Sequence, residues 1–515
     1  MEHTPEEYFQ KLYKEKPWLL DSIYWLETEI CTEFPTLHAN QISVYYGNPD
    51  GLTSEGTNYI SKSDKKHQRE GNVKDIYIRL SDNPQLSDLY FKVCFQRNFD
   101  ENAFCYFANA ICRFYNKINP KSYEVDDSIV DFLKVLSGKR LQDTIGGYEK
   151  YVMPRALRAR YKFASNMAFF DFVINGNPYK DGKRTFFRNV ISKLEKRAFE
   201  TYEGKHRTFS CLVDAASEEI SEETTSTAKL TDFLDIKESN LFANAHRTYF
   251  LVTKEGYINK YIVHNASLNA DSEVESSHEV FAPSQYYSIA AACQKEIVGI
   301  VLSPQGEILV FKNQTLVLSK RKGLWHYHDQ SAITNVIMSK IITEDGSYDK
   351  GLCRQLANSI YASIIDVSFS HTGGCIGIIE EGTRIVDVDF SEKDVKTKNS
   401  ISPVTPVVLK RIMSQRVTGT DDRDETCSFT TVNRQIRAEL LSLDGVTIVN
   451  QNSNYMAVGY ILNHTMYAEG GGGREAAAKM LGDKGLGIKI SEDGEVTMYG
   501  KWGSSEEISK IKIFV

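Results

Sequence analysis

The chain has 515 residues, of which 41% are hydrophobic and 25% are charged, and its net charge is −7 at pH 7. These values are typical of a folded protein of two to four domains, and they exclude a disordered tail or a strongly basic nucleic-acid coat. The polar, acidic N-terminus does not resemble a signal peptide, and no apolar run approaches the roughly 20 residues that span a bilayer. Nine scattered cysteines without a CxxC pair favour reduced thiols, so we expect a cytoplasmic protein with no membrane association.

Residues 1–212 are predicted to form an α+β region whose role the sequence does not reveal. Apolar residues recur at helical spacing over residues 8–25, and a second helix is predicted over residues 103–115. Short β-favouring runs cover residues 42–46 and 76–80.

A basic stretch with interleaved aromatic residues extends over residues 155–197 and includes Arg155, Arg158 and Arg160. Such a stretch can bind nucleic acid. The alternative is an amphipathic helical segment with a solvated basic face, and we favour it because such faces are common. Nucleic acid is therefore not expected as a partner.

An acidic linker is predicted over residues 213–229, and a β-rich middle domain over residues 230–345. Runs of β-favouring residues separated by turn signals predict strands at residues 248–253, 257–263, 297–302, 307–311 and 315–319.

His326 and His328 would lie on one face of a strand in this middle domain, where they could bind a metal. No further His, Cys or acidic pair has recognisable zinc spacing, so we expect a structural role for both histidines.

Residues 346–515 show strands alternating with helices, which predicts an α/β domain with a mixed sheet flanked by helices. Helices are predicted over residues 351–369, 434–443 and 474–481, and strands over residues 375–379, 446–449, 456–462, 486–491 and 495–499.

Four glycines, ending in Gly472 and Gly473, lead directly into the alanine-rich helix that starts with Arg474. Glycine lets a backbone approach a ligand closely, and the first turn of a helix has unpaired N–H groups at the positive end of its dipole. These features attract an anion, and the Arg474 guanidinium can bind two phosphate oxygens at once. The sequence therefore predicts a phosphate site here, with a flexible surface loop as the alternative.

Asp444 and Gly445 open a predicted strand in the same domain. A carboxylate near a phosphate site could hold a divalent cation between itself and the phosphates. The alternative is a turn, since Asp-Gly is a common turn dipeptide.

The order of these motifs resembles the diadenylate cyclase family over the final third of the chain. In that family an Asp-Gly-Ala motif supports a metal and the reacting ribose hydroxyl, and an Arg-His-Arg motif contacts the phosphates of ATP. Here Asp444-Gly445 is followed by Val446 in place of alanine, and Arg474 is followed by Glu475 and Ala476 in place of histidine and arginine. A later strand ends in Ser-Glu, as in the family, and Gly373-Gly374 resembles the start of that family's domain.

The resemblance implies a catalytic and metal-binding role for Asp444, with Mg²⁺ or Mn²⁺ as the ion if a nucleoside triphosphate binds. It implies nucleotide-binding roles for Gly445, Gly472, Gly473, Arg474, Glu475, Ser491 and Glu492.

Losing an arginine and a histidine from such a motif costs on the order of 2–4 kcal/mol of transition-state stabilisation per contact. We therefore favour a diverged domain that senses ATP or a cyclic dinucleotide and signals to the N-terminal region. The first alternative is an active diadenylate cyclase, in which two protomers of a homodimer each bring one ATP. The second is an N-terminal nucleic-acid- or protein-binding module that the C-terminal domain regulates.

Overall fold

The structure is a computed structural model, and its chain divides into two compact units, Met1–Arg188 and Asn189–Val515. It describes residues 7, 10, 11, 14, 17–29, 42–47, 59–63, 74–79, 88–95, 127–136, 155, 158, 184–202, 204–214, 228–236, 248–253, 255–263, 280–341, 349–380, 428–462, 472–501 and 507–514.

The first unit contains a four-stranded antiparallel sheet and several helical segments among its described residues. Two of these segments are α1 (Pro17–Tyr24), which a π-helical turn extends to Glu29, and α2 (Asp127–Leu136). The strands are β1 (Ile42–Tyr46), β2 (Tyr59–Ser63), β3 (Lys74–Arg79) and β4 (Leu89–Phe95), in the order β1-β4-β3-β2.

The second unit begins with helix α3 (Arg184–Arg197), of which Asn189 is the first residue in this unit, and a short hairpin of β5 (Thr201–Tyr202) and β6 (Lys205–His206). A seven-stranded sheet follows, with strand order β13-β12-β11-β10-β7-β8-β9. Its strands are β7 (Phe209–Asp214), β8 (Thr248–Thr253), β9 (Ile258–Val263), β10 (Ile297–Leu302), β11 (Ile308–Lys312), β12 (Thr315–Arg321) and β13 (Leu324–Tyr327).

Tight turns set the register of the last hairpins in this sheet. Asn313 and Gln314 connect β11 to β12, and both have positive φ angles, at 50° and 61°. Lys322 and Gly323 connect β12 to β13 with φ angles of 50° and 81°. Two-residue turns with positive φ match the right-handed twist of paired strands, so they favour hairpins at these positions.

Five helices of the second unit lie between or beside the strands. They are α4 (Leu230–Phe233), α5 (Tyr287–Ala292), α6 (Gln330–Ile341), α7 (Lys350–Ser370) and α8 (Arg434–Leu441). Fourteen of the residues in α7 are buried. Helix α7 shares one hydrophobic core with Val301 and Phe311 of the seven-stranded sheet and with Ile376 and Ile488 of a second sheet. A helix that is apolar on most faces must be covered on most faces, and α7 is covered from both sheets.

The second sheet has six strands in the order β16-β15-β14-β17-β18-β19, and helix α9 (Gly473–Asp483) packs against it. The strands are β14 (Gly374–Ile379), β15 (Val446–Asn450), β16 (Tyr455–Tyr460), β17 (Gly485–Ile490), β18 (Val496–Gly500) and β19 (Ser509–Phe514). Strands β14 and β15 are parallel, and the other neighbouring pairs are antiparallel. The architecture is therefore α/β, with mixed sheets flanked by helices.

Domain limits differ from those expected. The units divide at Arg188/Asn189, whereas the sequence suggested a linker at residues 213–229. Strand β7 includes the start of that suggested linker and pairs with β10 and β8 in the middle of its sheet. Residues 215–227, the helix predicted over 103–115 and Arg160 lie outside the described residues.

No helix in the described part of the chain is long and apolar enough to cross a membrane.

Candidate functional site

One edge of the six-stranded sheet brings several of the predicted residues together. Strands β14 and β15 both begin there because they are parallel, with Ile376 opposite Thr447. Strand β17 ends there because it is antiparallel to β14, with Ile490 opposite Gly374. Asp444-Gly445, Gly373 and Ser491-Glu492 therefore adjoin one edge of the sheet, which we call the site edge.

Helix α9 also begins at the site edge. Its N-cap is Gly472, and no side-chain cap hydrogen bond is present at this helix start among the described residues. The amides of Glu475 and Ala476 donate to the Gly472 carbonyl, at 2.9 and 3.2 Å. The structure therefore places a helix start directly after Gly472, which is the first described residue of the glycine-rich run.

The Arg474 side chain lies across the backbone at Gly373. Arg474 Nη1 donates to Glu492 Oε1 at 3.3 Å. A Cβ placed on Gly373, whose φ is +69°, would lie 2.4 Å from Arg474 Nη1. Glycine at residue 373 is therefore required for both the backbone conformation and the position of the guanidinium.

The Arg474–Glu492 ion pair is exposed, with 29% of the arginine side chain and 75% of the glutamate side chain accessible. Exposed pairs contribute about 0–1 kcal/mol, so a phosphate could replace Glu492 at little cost. The pair leaves Arg474 available for an anion.

Asp444 is exposed, and its Oδ1 accepts from the amide of Gly445 at 3.0 Å. A Cβ on Gly445, whose φ is +93°, would lie 2.7 Å from the Gly459 carbonyl carbon. A side chain at residue 445 would therefore clash with the neighbouring backbone, which explains the glycine. The hydrogen bond of Asp444 is one that a turn residue commonly makes. Strand spacing places the start of β15 roughly 5 Å from the start of β14, beside which Arg474 lies.

Glu475 points to a different set of groups from Arg474. Its carboxylate contacts Lys489 at 3.1 Å, Lys479 at 3.5 Å and Lys510 at 3.9 Å. Partial burial alone would raise the pKa of Glu475, but hydrogen bonds from Lys489 and Tyr499 and the nearby lysine charges lower it to about 2. Glu475 therefore stays ionised and holds three lysines beside the first turn of α9.

The remaining predicted positions have structural roles as well. Ser491 closes the β17–β18 turn, where its amide donates to the Glu495 carbonyl at 2.8 Å. Val446 is buried in the core under α9, so its side chain does not occupy the site edge. Cys375 also lies in this core, and burial raises the pKa of its thiol to about 12, which makes it a poor nucleophile at neutral pH.

Three polar side chains at the site edge were not indicated by the sequence. Thr372 Oγ1 and Ser442 Oγ lie 2.8 Å apart and bridge the segments that precede β14 and β15. His371 caps α7 in a left-handed conformation, with φ of 57°, and its Nδ1 lies 3.2 Å from the Glu492 carbonyl oxygen. The local signal for His371 and Thr372 was their position at a helix end before Gly373, and Ser442 likewise follows the end of α8.

The site edge is joined to the seven-stranded sheet through Arg321. This arginine is 4% exposed, and it pairs with Glu307 at 2.7 Å. It also donates to the Ser368 hydroxyl at 2.9 Å and to the Gly494 carbonyl at 3.1 Å, and it lies over the Phe369 ring at 3.8 Å. We call these five residues the junction.

Metal-ligand chemistry is sparse in the described residues, which contain no group of three His, Cys, Asp or Glu side chains suited to an ion. His328 Nε2 instead lies 2.7 Å from Ser319 Oγ, and burial holds the pKa of this histidine well below its ordinary value. Asp444 contributes one carboxylate, so Mg²⁺ or Mn²⁺ would need phosphate oxygens to complete its ligands.

Comparisons with protein-family models, curated proteins and solved structures give no match to this chain.

Proposed function

We propose that the site edge binds the phosphates of a nucleotide or cyclic dinucleotide, and that the second unit is a nucleotide sensor related to diadenylate cyclases. The observation that carries this proposal is the contact of Arg474, in the first turn of α9, with Glu492 above Gly373. Asp444 adjoins the same edge, at the neighbouring strand. Helix amides, a guanidinium and a nearby carboxylate are the groups that phosphates and their counter-ion require.

Charge at the start of α9 supports the proposal. Around the site edge, Arg474, Lys479, Lys489 and Lys510 bring four positive charges, and Glu475, Glu492 and Asp444 bring three negative ones. The excess of one positive charge favours an anionic ligand.

Binding without rapid turnover fits the residues that follow Arg474. Ala476, at the position of the family's second arginine, is 1% exposed and packs in the core of the domain. The negative charge of Glu475 is compensated by the nearby lysines, so this carboxylate does not repel a phosphate strongly. It supplies no hydrogen-bond donor, however. If a divalent ion joins the ligand, Asp444 is the carboxylate that would hold it, and the ion would supply charge stabilisation to the phosphates.

The junction connects the proposed ligand site to the seven-stranded sheet through direct contacts. Glu492 and Gly494 belong to one turn, and Gly494 accepts a hydrogen bond from Arg321. Lys320, the residue before Arg321, pairs with Glu195 of α3 at 2.5 Å. A ligand that displaces Glu492 from Arg474 would therefore act on a turn that contacts β12, and β12 contacts α3.

Isothermal titration calorimetry with ATP and a panel of cyclic dinucleotides tests the proposal. We expect saturable binding by at least one ligand, weakened about tenfold or more in Arg474→Ala because a charge-assisted contact is lost. Arg354→Ala is the matched control: Arg354 is also exposed, and it lies about 24 Å along α7 from the end of that helix at the site edge. Absence of binding across the panel would overturn the proposal.

Product analysis separates sensing from catalysis. Incubation of the full chain with ATP and Mg²⁺ or Mn²⁺ is expected to give no cyclic product at high protein concentration. Cyclic di-AMP formation that is lost in Asp444→Asn would establish the active cyclase instead.

A further inference from the structure

The second unit contains a charged cavity that shares no residue with the site edge. It has a volume of about 470 Å³ and lies where the end of α3, the β5–β6 hairpin and the turn after α4 meet. Six charged side chains line it: Lys193, Lys196, Arg197, Glu200, Arg207 and Asp235. We call this cavity the basic pocket.

The charges in the basic pocket do not balance. Lys193 pairs with Asp235 at 2.5 Å, and Arg207 pairs with Glu200 at 2.8 Å. Lys196 and Arg197 have no carboxylate within salt-bridge distance in the described part of the chain. The pocket therefore has an excess of two positive charges.

Both arginines are buried, and each has a donor that is not used. Arg197 is 3% exposed and Arg207 is 7% exposed. Arg197 Nη2 donates to the carbonyls of Leu234 and Ile236, but Arg197 Nη1 and Arg207 Nε are buried without an acceptor among the described residues. A buried donor left unpaired destabilises the folded state, so a ligand acceptor that reached either donor would offset this cost.

The protonation equilibrium of Arg197 reflects the same imbalance. Burial and, second, the positive charge of Arg207 lower the pKa of Arg197 to about 10, although Glu200 and Asp235 act in the opposite direction. A negative charge in the pocket would oppose both effects.

From this geometry we infer that the basic pocket binds the phosphate group of a small phosphomonoester. Two planar guanidinium groups and one lysine match the several oxygens of a phosphate dianion, and an excess of two positive charges matches its charge. The volume lies in the usual range for small-ligand sites, which is roughly 300–1,000 Å³. The inference is independent of nucleotide binding at the site edge, because the two sites share no residue.

Phosphate binding to the full chain tests this inference, with Arg474→Ala as the background so that the site edge does not contribute. The probes are inorganic phosphate and adenosine monophosphate. Their binding is measured by calorimetry and by the shift in the melting temperature of the protein. We expect one saturable site, and a weakening of about tenfold in Lys196→Glu, because reversing the charge of this exposed lysine replaces an attraction with a repulsion.

Lys350→Glu is the matched control, because it makes the same change in net charge at an exposed lysine on the first residue of α7. Equal weakening in both variants would overturn the inference, as would the absence of saturable binding of either probe. Tighter binding of succinate than of phosphate would assign the pocket to dicarboxylates and would also overturn it.

Discussion

Two arginines contact the turn between β17 and β18, and they do so in very different surroundings. Arg321, at the junction, is 4% exposed and bonds to Glu307, Ser368 and Gly494 while lying on the Phe369 ring. Arg474, at the site edge, is 29% exposed in its side chain and makes one 3.3 Å side-chain contact, with Glu492. A buried arginine whose N–H groups are hydrogen-bonded stabilises a fold. An accessible arginine with few hydrogen bonds can exchange its partner for a ligand.

Removing the buried cation should have the largest effect. We expect Arg321→Met to lower the free energy of unfolding by about 3–5 kcal/mol, because Glu307 would remain buried without its partner. Urea denaturation of the full chain measures this value. Lys322→Met is the control, since Lys322 pairs with Asp493 at the surface and its loss should cost less than about 1 kcal/mol. Similar losses in both variants would remove the distinction between the junction and its surroundings.

Disrupting the lysine cluster around Glu475 should have an intermediate effect on stability. We expect Glu475→Gln to lower the free energy of unfolding by about 1–2 kcal/mol at pH 7, since the carboxylate accepts charged hydrogen bonds while only partly exposed. The folded-state pKa of Glu475, about 2, lies below its ordinary value of 4.5. The stabilisation is therefore present above pH 4.5 and is lost as the pH falls from 4.5 towards 2.

Urea denaturation of both proteins at a series of pH values checks this prediction. The difference between wild type and Glu475→Gln should shrink as the pH falls below about 4.5. Glu492→Gln, which alters the exposed pair, is the control and should change stability by less than about 0.5 kcal/mol. A difference that is constant with pH would show that Glu475 is not held ionised by the lysines.

The smallest effect on stability should come from Arg474, the residue that we propose as the main phosphate contact. We expect Arg474→Ala to change the free energy of unfolding by less than about 0.5 kcal/mol, because the Glu492 pair is exposed. The same urea titrations measure it. A loss above about 2 kcal/mol would instead assign Arg474 to the structural class of Arg321.

Local patterns were sufficient for several elements of the second unit. The alanine-rich run after Gly473 forms α9, and the helical spacing over residues 351–369 forms α7. The predicted strand at residues 297–302 is β10, with the same limits. These elements follow from propensity and periodicity, which a short window contains.

Strand pairings and side-chain contacts between residues far apart in the chain could not be predicted from local patterns. Strand β7 pairs with β8 in parallel, and nothing in its six residues specifies this partner. Lys489 and Lys510 reach Glu475 from two separate strands, and Arg321 reaches Gly494 across 173 residues of sequence. The prediction of a site at Asp444, Arg474 and Glu492 came from motif order, which carries information that periodicity does not.

The buried helix α7 has a practical consequence for dissecting this protein. Its core joins the segments 230–345 and 346–515, for which separate domains were predicted, into one compact unit. A fragment that starts at residue 346 would expose to solvent the apolar face of α7 that packs against the seven-stranded sheet. Such a fragment would be prone to aggregation. Truncation studies of the proposed nucleotide site should therefore retain at least Asn189–Val515, so that α7 keeps its contacts with both sheets.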